Sequence, residues 1–204
     1  MLDLLLVRHG ETVLNSERRW QGQADAPLSP AGRAEVQALA QRIAAAGPGS
    51  LYSSDLPRAR ETAAEIARVT GLEPTLDARW REVDVGEWLG LTPEEVEERH
   101  PEGYARWLAG GTGWKQGESY LEMAARGLEA AHDVVRAHAG GTHPIVCVTH
   151  GGVIRAIVMH VLGMPPEARR LLATGRTGTI TSLDVSAPVW RLRSYNDAGH
   201  LPPA

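Results

Sequence analysis

The chain has 204 residues, of which 43% are hydrophobic and 23% are charged, and its formal net charge is −4. This length and composition predict one globular domain spanning residues 1–204, and the acidic balance argues against a general nucleic-acid partner. No apolar stretch approaches the ~20 residues of a membrane span, no signal peptide is visible, and the single cysteine, Cys147, fits a reducing compartment, so we expect a cytoplasmic protein.

The first third of the chain alternates short strand patterns with helix patterns. Leu4–Val7 is an aliphatic run that predicts a buried strand, and it leads directly into Arg8, His9 and Gly10. Ser29 followed by Pro30 is typical of a helix start. The other elements predicted here are a polar loop over 11–28, a helix to about 46, a strand over 50–53, a helix from its cap at Asp55 to about 69, and a strand over 73–76.

The rest of the chain continues this alternation after an interruption. Thr92, Pro93 and Glu95 fit a capping box, so a helix is predicted to start there and to be limited by Pro101. Tryptophans and glycines are mixed over 104–117, and we interpret this stretch as irregular. The later elements predicted are a helix over 118–138, a strand over 144–149, a helix over 152–162, and a closing antiparallel pair over 180–185 and 189–195.

This alternation predicts an α/β fold, a three-layer sandwich with a mostly parallel central sheet and helices on both faces. Ligands of such sheets bind outside the carboxyl ends of the strands. Two predicted strands end in a histidine followed by glycine, at His9 and at His150. We therefore expect both imidazoles at one edge of the sheet, with residues 92–120, called here the cover segment, lying over them.

The basic residues near these strand ends suit a phosphoryl group. Arginine is planar, always charged and able to bind phosphate through two parallel hydrogen bonds. Arg8 precedes His9, and Arg58 follows another strand end at the start of a helix, whose N-terminus also attracts anions. The sequence therefore predicts an anion pocket formed by Arg8 and Arg58.

Candidates for a nucleophile and a general acid follow from the residue types available. No serine lies in a nucleophile elbow and Cys147 is predicted to be buried, so neutral His9 is the candidate nucleophile. Glu82 is the candidate acid; it must carry a proton to protonate the leaving oxygen, and it can then activate water as a base. His150 would stabilise charge on the phosphoryl oxygens.

Four segments, in this order, resemble the histidine phosphatase superfamily, the phosphoglycerate mutase-like group. They are Leu6–Thr12, Ser53–Ala59, Arg81–Trp88 and Val148–Gly152. The resemblance implies a phosphoglycerate mutase-like fold, His9 as the phosphorylated nucleophile and Glu82, rather than Asp84 or Glu87, as the proton donor. The phosphate-binding residues it implies are Arg8, Asn15, Gln21, Gly22, Arg58, His150 and Gly151. It implies no metal and no cofactor.

Departures from the mutase pattern favour hydrolysis. Mutases of this family typically have a longer cover, Asn after the second His-Gly and Arg-x-Tyr after the acid; here Gly152 and Val83-Asp84-Val85 occupy those positions. We expect a metal-independent phosphatase of small phosphorylated metabolites, such as sugar phosphates or phosphoglycerate derivatives. The alternatives are a bisphosphoglycerate-dependent phosphoglycerate mutase and a regulatory protein-phosphohistidine phosphatase. The substrate and contact of the cover with it stay open, and the last strands offer an edge for a homodimer.

Overall fold

A six-stranded sheet organises the chain in the computed structural model, which describes residues 2–202. The strands are β1 (Asp3–Arg8), β2 (Ser50–Ser53), β3 (Pro74–Leu76), β4 (Ile145–Thr149), β5 (Ile180–Asp184) and β6 (Arg191–Asp197). The helices are α1 (Val13–Ser16), α2 (Pro30–Ala44), α3 (Pro57–Thr70), α4 (Pro93–Arg99), α5 (Pro101–Leu108), α6 (Tyr120–Ala137) and α7 (Gly151–Val161). Short 3-10 turns occupy Ala78–Trp80, Gly86–Trp88 and Pro166–Leu171.

The order of the strands is β3-β2-β4-β1-β5-β6, and the first four are parallel to one another. β5 and β6 run antiparallel at the far edge, as the sequence predicts. The mostly parallel α/β fold is thus confirmed. Arg8 is the register partner of Thr149, so β1 and β4 end side by side and the residues that follow them are neighbours.

Apolar side chains of β1 point alternately to the two faces of the sheet, and each face is covered by helices. Leu5 and Val7 belong to a core with α2 and α3, whereas Leu4 and Leu6 belong to a core with α6 and α7. The predicted three layers are therefore present. Across residues 2–202 no helix combines the length and the apolarity that crossing a bilayer requires.

Three local predictions are wrong. The segment predicted to be a polar loop, 11–28, contains the short helix α1, which begins with a capping box at Thr12. Asp55 does not cap α3; the cap residue is Leu56, and the Asp55 carboxylate instead accepts two hydrogen bonds from Arg81, at 2.7 and 2.6 Å. Part of the segment predicted to be irregular is the helix α5, which begins at Pro101 and carries Tyr104 stacked on Trp107. The capping box at Thr92 and the cap at Ser29 are confirmed.

Candidate active site

The two histidines meet at the carboxyl ends of β1 and β4. The backbone N–H of His9 donates to the carbonyl of Thr149 at 3.1 Å, which extends the strand pairing to the first residue after β1. The ring centroids of His9 and His150 are 5.0 Å apart, and both side chains are buried. The expectation that both imidazoles share one edge of the sheet is confirmed.

His9 is held in one tautomer. Its Nδ1 lies 2.7 Å from the carbonyl oxygen of Gly10, which can only accept, so Nδ1 carries the proton and Nε2 carries the lone pair. Nε2 accepts from the Nε–H of Arg58 at 3.2 Å. Burial, reinforced by the charges of Arg58 and Arg8, holds the pKa of His9 well below its usual range. The imidazole is therefore neutral at physiological pH.

Arg58 lies in the first turn of α3 and is buried. Its two terminal nitrogens donate to the carbonyls of Gly22 at 2.7 Å and Ala24 at 2.9 Å. Burial lowers the pKa of Arg58 to about 10, so the guanidinium stays charged at neutral pH. Within residues 2–202 it has no ion-pair partner, which leaves its charge available to an anion.

Two further N–H groups beside His9 have no acceptor within residues 2–202. Arg8 donates from one terminal nitrogen to the carbonyls of Thr174 and Gly175, but its Nε is buried without a partner among residues 2–202. Ser54 Oγ accepts from the N–H of Leu56 and lies 2.9 Å from His150 Nε2, so we assign its proton to that contact. Nδ1 of His150 then carries a proton, and it too is buried and unpaired. An oxyanion would satisfy both donors.

A cavity of about 280 Å³ opens in front of His9. Of the predicted site residues, it is lined by Arg8, His9, Asn15, Gln21, Gly22, Arg58, Glu82 and Gly151. His150 contacts His9 but does not line the cavity. The side-chain carbonyls of Asn15 and Gln21 accept from Thr12, so their amide NH2 groups remain as donors.

The carboxylate of Glu82 is fixed by two backbone N–H groups, those of Val83 and Gly152, each at 2.9 Å. A Cβ at position 152 would lie 2.1 Å from Glu82 Oε1, so only glycine leaves room for this arrangement. The backbone carbonyl of Glu82 is held in turn by Arg126 at 3.0 Å and Gln23 at 3.2 Å. Glu82 thus borders the cavity in a defined position.

Sequence reasoning missed several residues of the site. Arg155, Thr174 and Tyr120 line the cavity, and Ser54 supports His150. Of these residues, Arg155 could have been predicted from the sequence. It lies four residues after Gly151, and residues at this spacing share a helix face.

The tryptophans divide between the cavity wall and the packing behind it. Trp20 and Trp107 line the cavity and meet edge to face, with centroids 5.2 Å apart. Trp88 is fully buried and Trp114 nearly so, and both contact Trp20 from behind. Trp107 and Tyr120, with Pro93, bring the cover segment to the cavity.

A larger depression, of about 700 Å³, lies at the opposite end of β1. It is lined by Leu2, by the C-terminal turns of α6 and by the connection between β5 and β6. None of the predicted site residues borders it. The smaller cavity is therefore the candidate active site because of the residues that line it, although its volume is the smaller of the two.

An α/β sheet whose strand ends present a neutral imidazole, buried arginines and unpaired N–H donors defines a class of protein that binds an oxyanion beside a nucleophile. Within that class, the chain belongs to the histidine phosphatase superfamily, branch 1, whose family model matches residues 4–198. The chain is thus a phosphoryl-transfer enzyme of the phosphatase and mutase group.

Proteins named as phosphatases and proteins named as mutases are both similar to this chain. Glucosyl-3-phosphoglycerate phosphatase of Mycolicibacterium vanbaalenii is 37% identical over 80% of this chain and 76% of its own. A probable phosphoglycerate mutase GpmB of Yersinia enterocolitica is 35% identical over 98% of this chain and 95% of its own. The structure of a mycobacterial glucosyl-3-phosphoglycerate phosphatase with VO3 has a TM-score of 0.89 at 32% identity, covering 96% of this chain and 99% of the other.

The two buried histidines predict a loss of folding stability in mild acid. Burial, together with neighbouring positive charge, holds the pKa of His9 and of His150 well below 6.5. Below about pH 6.5 the unfolded chain binds protons that the folded chain does not, so stability is full above this pH and falls beneath it. The expected slope is up to ~1.4 kcal/mol per pH unit for each histidine.

Urea unfolding in phosphate-free buffer, from about pH 7.5 to about pH 5.5, measures this slope. His150→Gln should make it shallower, because one of the two contributions is removed. His160→Gln, at an exposed position of α7, is the matched control and should keep the wild-type slope. An unchanged slope in His150→Gln would show that His150 accepts a proton in the folded protein.

Proposed function

We propose that the protein hydrolyses small phosphomonoesters through a phosphohistidine at Nε2 of His9. The observation that carries this proposal is the neutral His9, whose Nε2 accepts from Arg58 at 3.2 Å in a cavity that Arg8, with its unpaired Nε–H, also lines. Nε2 attacks phosphorus while the bond from phosphorus to the ester oxygen breaks, and Glu82 gives its proton to that oxygen. Water then attacks phosphorus, Glu82 takes up its proton, and the bond from phosphorus to nitrogen breaks.

The surrounding donors suit the charge that moves during these steps. A phosphomonoester carries a charge of about −2 near neutral pH. Arg8 and Arg58 supply two fixed positive charges, and the Nδ1–H of His150 and the amides of Asn15 and Gln21 supply neutral donors. The N-terminus of α7, at Gly151, adds backbone N–H groups and a favourable dipole. All of these groups are in place before substrate binds, which is the arrangement that electrostatic catalysis requires.

Gly152, which stands where mutases of this family typically have Asn, supports hydrolysis over mutase activity. Gly152 gives its N–H to Glu82, and the cavity of about 280 Å³ accommodates a small ester. The similarity to a glucosyl-3-phosphoglycerate phosphatase supports the same choice. We propose that the reaction needs no metal, and that the cover segment contacts substrate through Trp107 and Tyr120. Phosphoglycerate mutase activity is the second candidate, favoured by the similarity to GpmB over 98% of the chain.

The test compares phosphate release with isomerisation. Phosphate release is measured from p-nitrophenyl phosphate and from a panel of phosphorylated metabolites. We expect the rate of release from each ester to be the same with EDTA as without it. Interconversion of 2- and 3-phosphoglycerate, with added bisphosphoglycerate, is expected to be slower than phosphate release. Faster interconversion would make the protein a mutase, and no release from any ester would overturn the proposed function.

A further inference from the structure

Arg155 is a cationic side chain of the cavity that the steps above do not use. It lies on α7 four residues after Gly151, so it shares the helix face that borders Arg8, and it lines the cavity. The residue is half-buried. Within residues 2–202 its guanidinium makes neither a hydrogen bond nor an ion pair.

The other arginines that line the cavity are all engaged. Arg8 and Arg58 donate to backbone carbonyls, Arg18 pairs with Glu94, and Arg19 pairs with Glu95 and Glu17. The fold therefore holds the positive charge of Arg155 beside Arg8 without using it for structure. A half-buried charge without a partner is unfavourable, and an anion that enters the cavity would relieve it.

Tyr120 lines the same cavity as Arg155 and offers a second polar group. The indole N–H of Trp107 donates to the Tyr120 hydroxyl oxygen at 3.2 Å, so the hydroxyl proton remains free to donate. Burial raises the pKa of Tyr120 above its usual value. The hydroxyl therefore keeps its proton and is a donor in the cavity that Arg155 also lines.

The charges in the cavity indicate which group the Arg155 guanidinium and the Tyr120 hydroxyl bind. A phosphomonoester of charge about −2 is matched by Arg8 and Arg58. Arg155 makes no ion pair with Glu82, so its charge has no counterpart among the cavity-lining residues that the structure describes. One further negative charge on the substrate would supply it. A carboxylate fits, because guanidinium binds it through two parallel hydrogen bonds.

We propose that Arg155 is a specificity-determining residue that binds a carboxylate of the substrate, so that the preferred substrates are phosphomonoesters of small hydroxy acids. This inference rests on the proposed function, since it concerns the far end of the molecule that His9 attacks. Tyr120 donates its hydroxyl proton to the same carboxylate.

The test uses two esters that differ in the carboxylate alone, 3-phosphoglycerate and glycerol phosphate. The wild-type kcat/KM is expected to favour 3-phosphoglycerate. Arg155→Gln should lower kcat/KM for 3-phosphoglycerate by about tenfold to a hundredfold, mainly through KM, because a charge-assisted contact is lost. Activity on glycerol phosphate and p-nitrophenyl phosphate should fall much less, so the preference for 3-phosphoglycerate over glycerol phosphate should shrink. Arg42→Gln removes an exposed arginine of α2 and is the matched control.

Equal losses on the two esters, or a wild type that does not prefer the carboxylate, would overturn the role of Arg155. Calorimetric binding of both esters to the wild type and to Arg155→Gln gives a readout without turnover. If no ester is hydrolysed, the proposed function fails, and binding alone then decides whether Arg155 recognises the carboxylate. Equal binding of both esters by the wild type would exclude it.

Discussion

His9→Gln is expected to lower kcat for p-nitrophenyl phosphate by on the order of 10⁴-fold or more. In the proposed reaction the lone pair on Nε2 of His9 attacks phosphorus, and the amide nitrogen of a glutamine has no lone pair available for attack. Glutamine keeps polar atoms near Gly10 and Arg58, so the variant is expected to fold. Steady-state kinetics with circular dichroism of both proteins measures the effect.

Trapping the intermediate separates a nucleophile from a merely structural histidine. Wild-type protein quenched in alkali during turnover should carry one phosphoryl group by intact-mass measurement, and His9→Gln should carry none. His160→Gln, in the exposed last turn of α7, should behave as the wild type does. Substantial turnover by a folded His9→Gln protein would assign the nucleophile to another residue.

The hydrogen bond from Arg58 to His9 has a consequence for the order of events. In the free protein, the Nε–H of Arg58 is directed at the lone pair that must attack phosphorus. A phosphoryl oxygen is a stronger acceptor than a neutral imidazole, because it is charged. In the proposed reaction we therefore expect substrate binding to move this donor from Nε2 to the phosphoryl group, so that the nucleophile is freed as the anion is neutralised.

The strand ends were predictable because local pattern and fold class agree there. Each of two aliphatic runs ends in His-Gly, and the carboxyl ends of parallel strands meet at one edge of the sheet. Because Arg8 pairs with Thr149, the histidines that follow them are neighbours. The caps at Ser29 and Thr92 depend on neighbours within three residues, so the sequence is sufficient to predict them.

Contacts between distant residues explain what the sequence did not predict. Asp55 has the side chain of a cap, but Arg81, 26 residues later, takes its carboxylate through two hydrogen bonds. The helix α5 forms among glycines because Trp107 and Tyr104 pack along it. Thr174 reaches the cavity only through the placement of the segment before β5, which no short-range pattern encodes.

Glu82→Gln is expected to lower kcat for alkyl phosphates by about 10² to 10⁴-fold, and for p-nitrophenyl phosphate by much less. An alkoxide leaves poorly without a proton, whereas nitrophenolate is stable enough to leave unaided. The ratio of the two losses therefore reports proton donation, which a structural role would not affect. Steady-state kinetics on a series of esters with graded leaving groups measures it, and equal losses across the series would remove Glu82 as the acid.

Gly152→Ala tests whether the position of this carboxylate matters as much as its chemistry. The added methyl would lie 2.1 Å from Glu82 Oε1, so the carboxylate must move away from the N–H of residue 152. Alanine suits a helix, and the N-terminal turn of α7 should persist. We therefore expect the same dependence on the leaving group as in Glu82→Gln, with Glu82 still present. Gly127→Ala is the control: its new Cβ would meet a Val153 methyl at 3.0 Å and no atom of Glu82, so it crowds the α6–α7 contact and should lower activity on all esters alike, if at all.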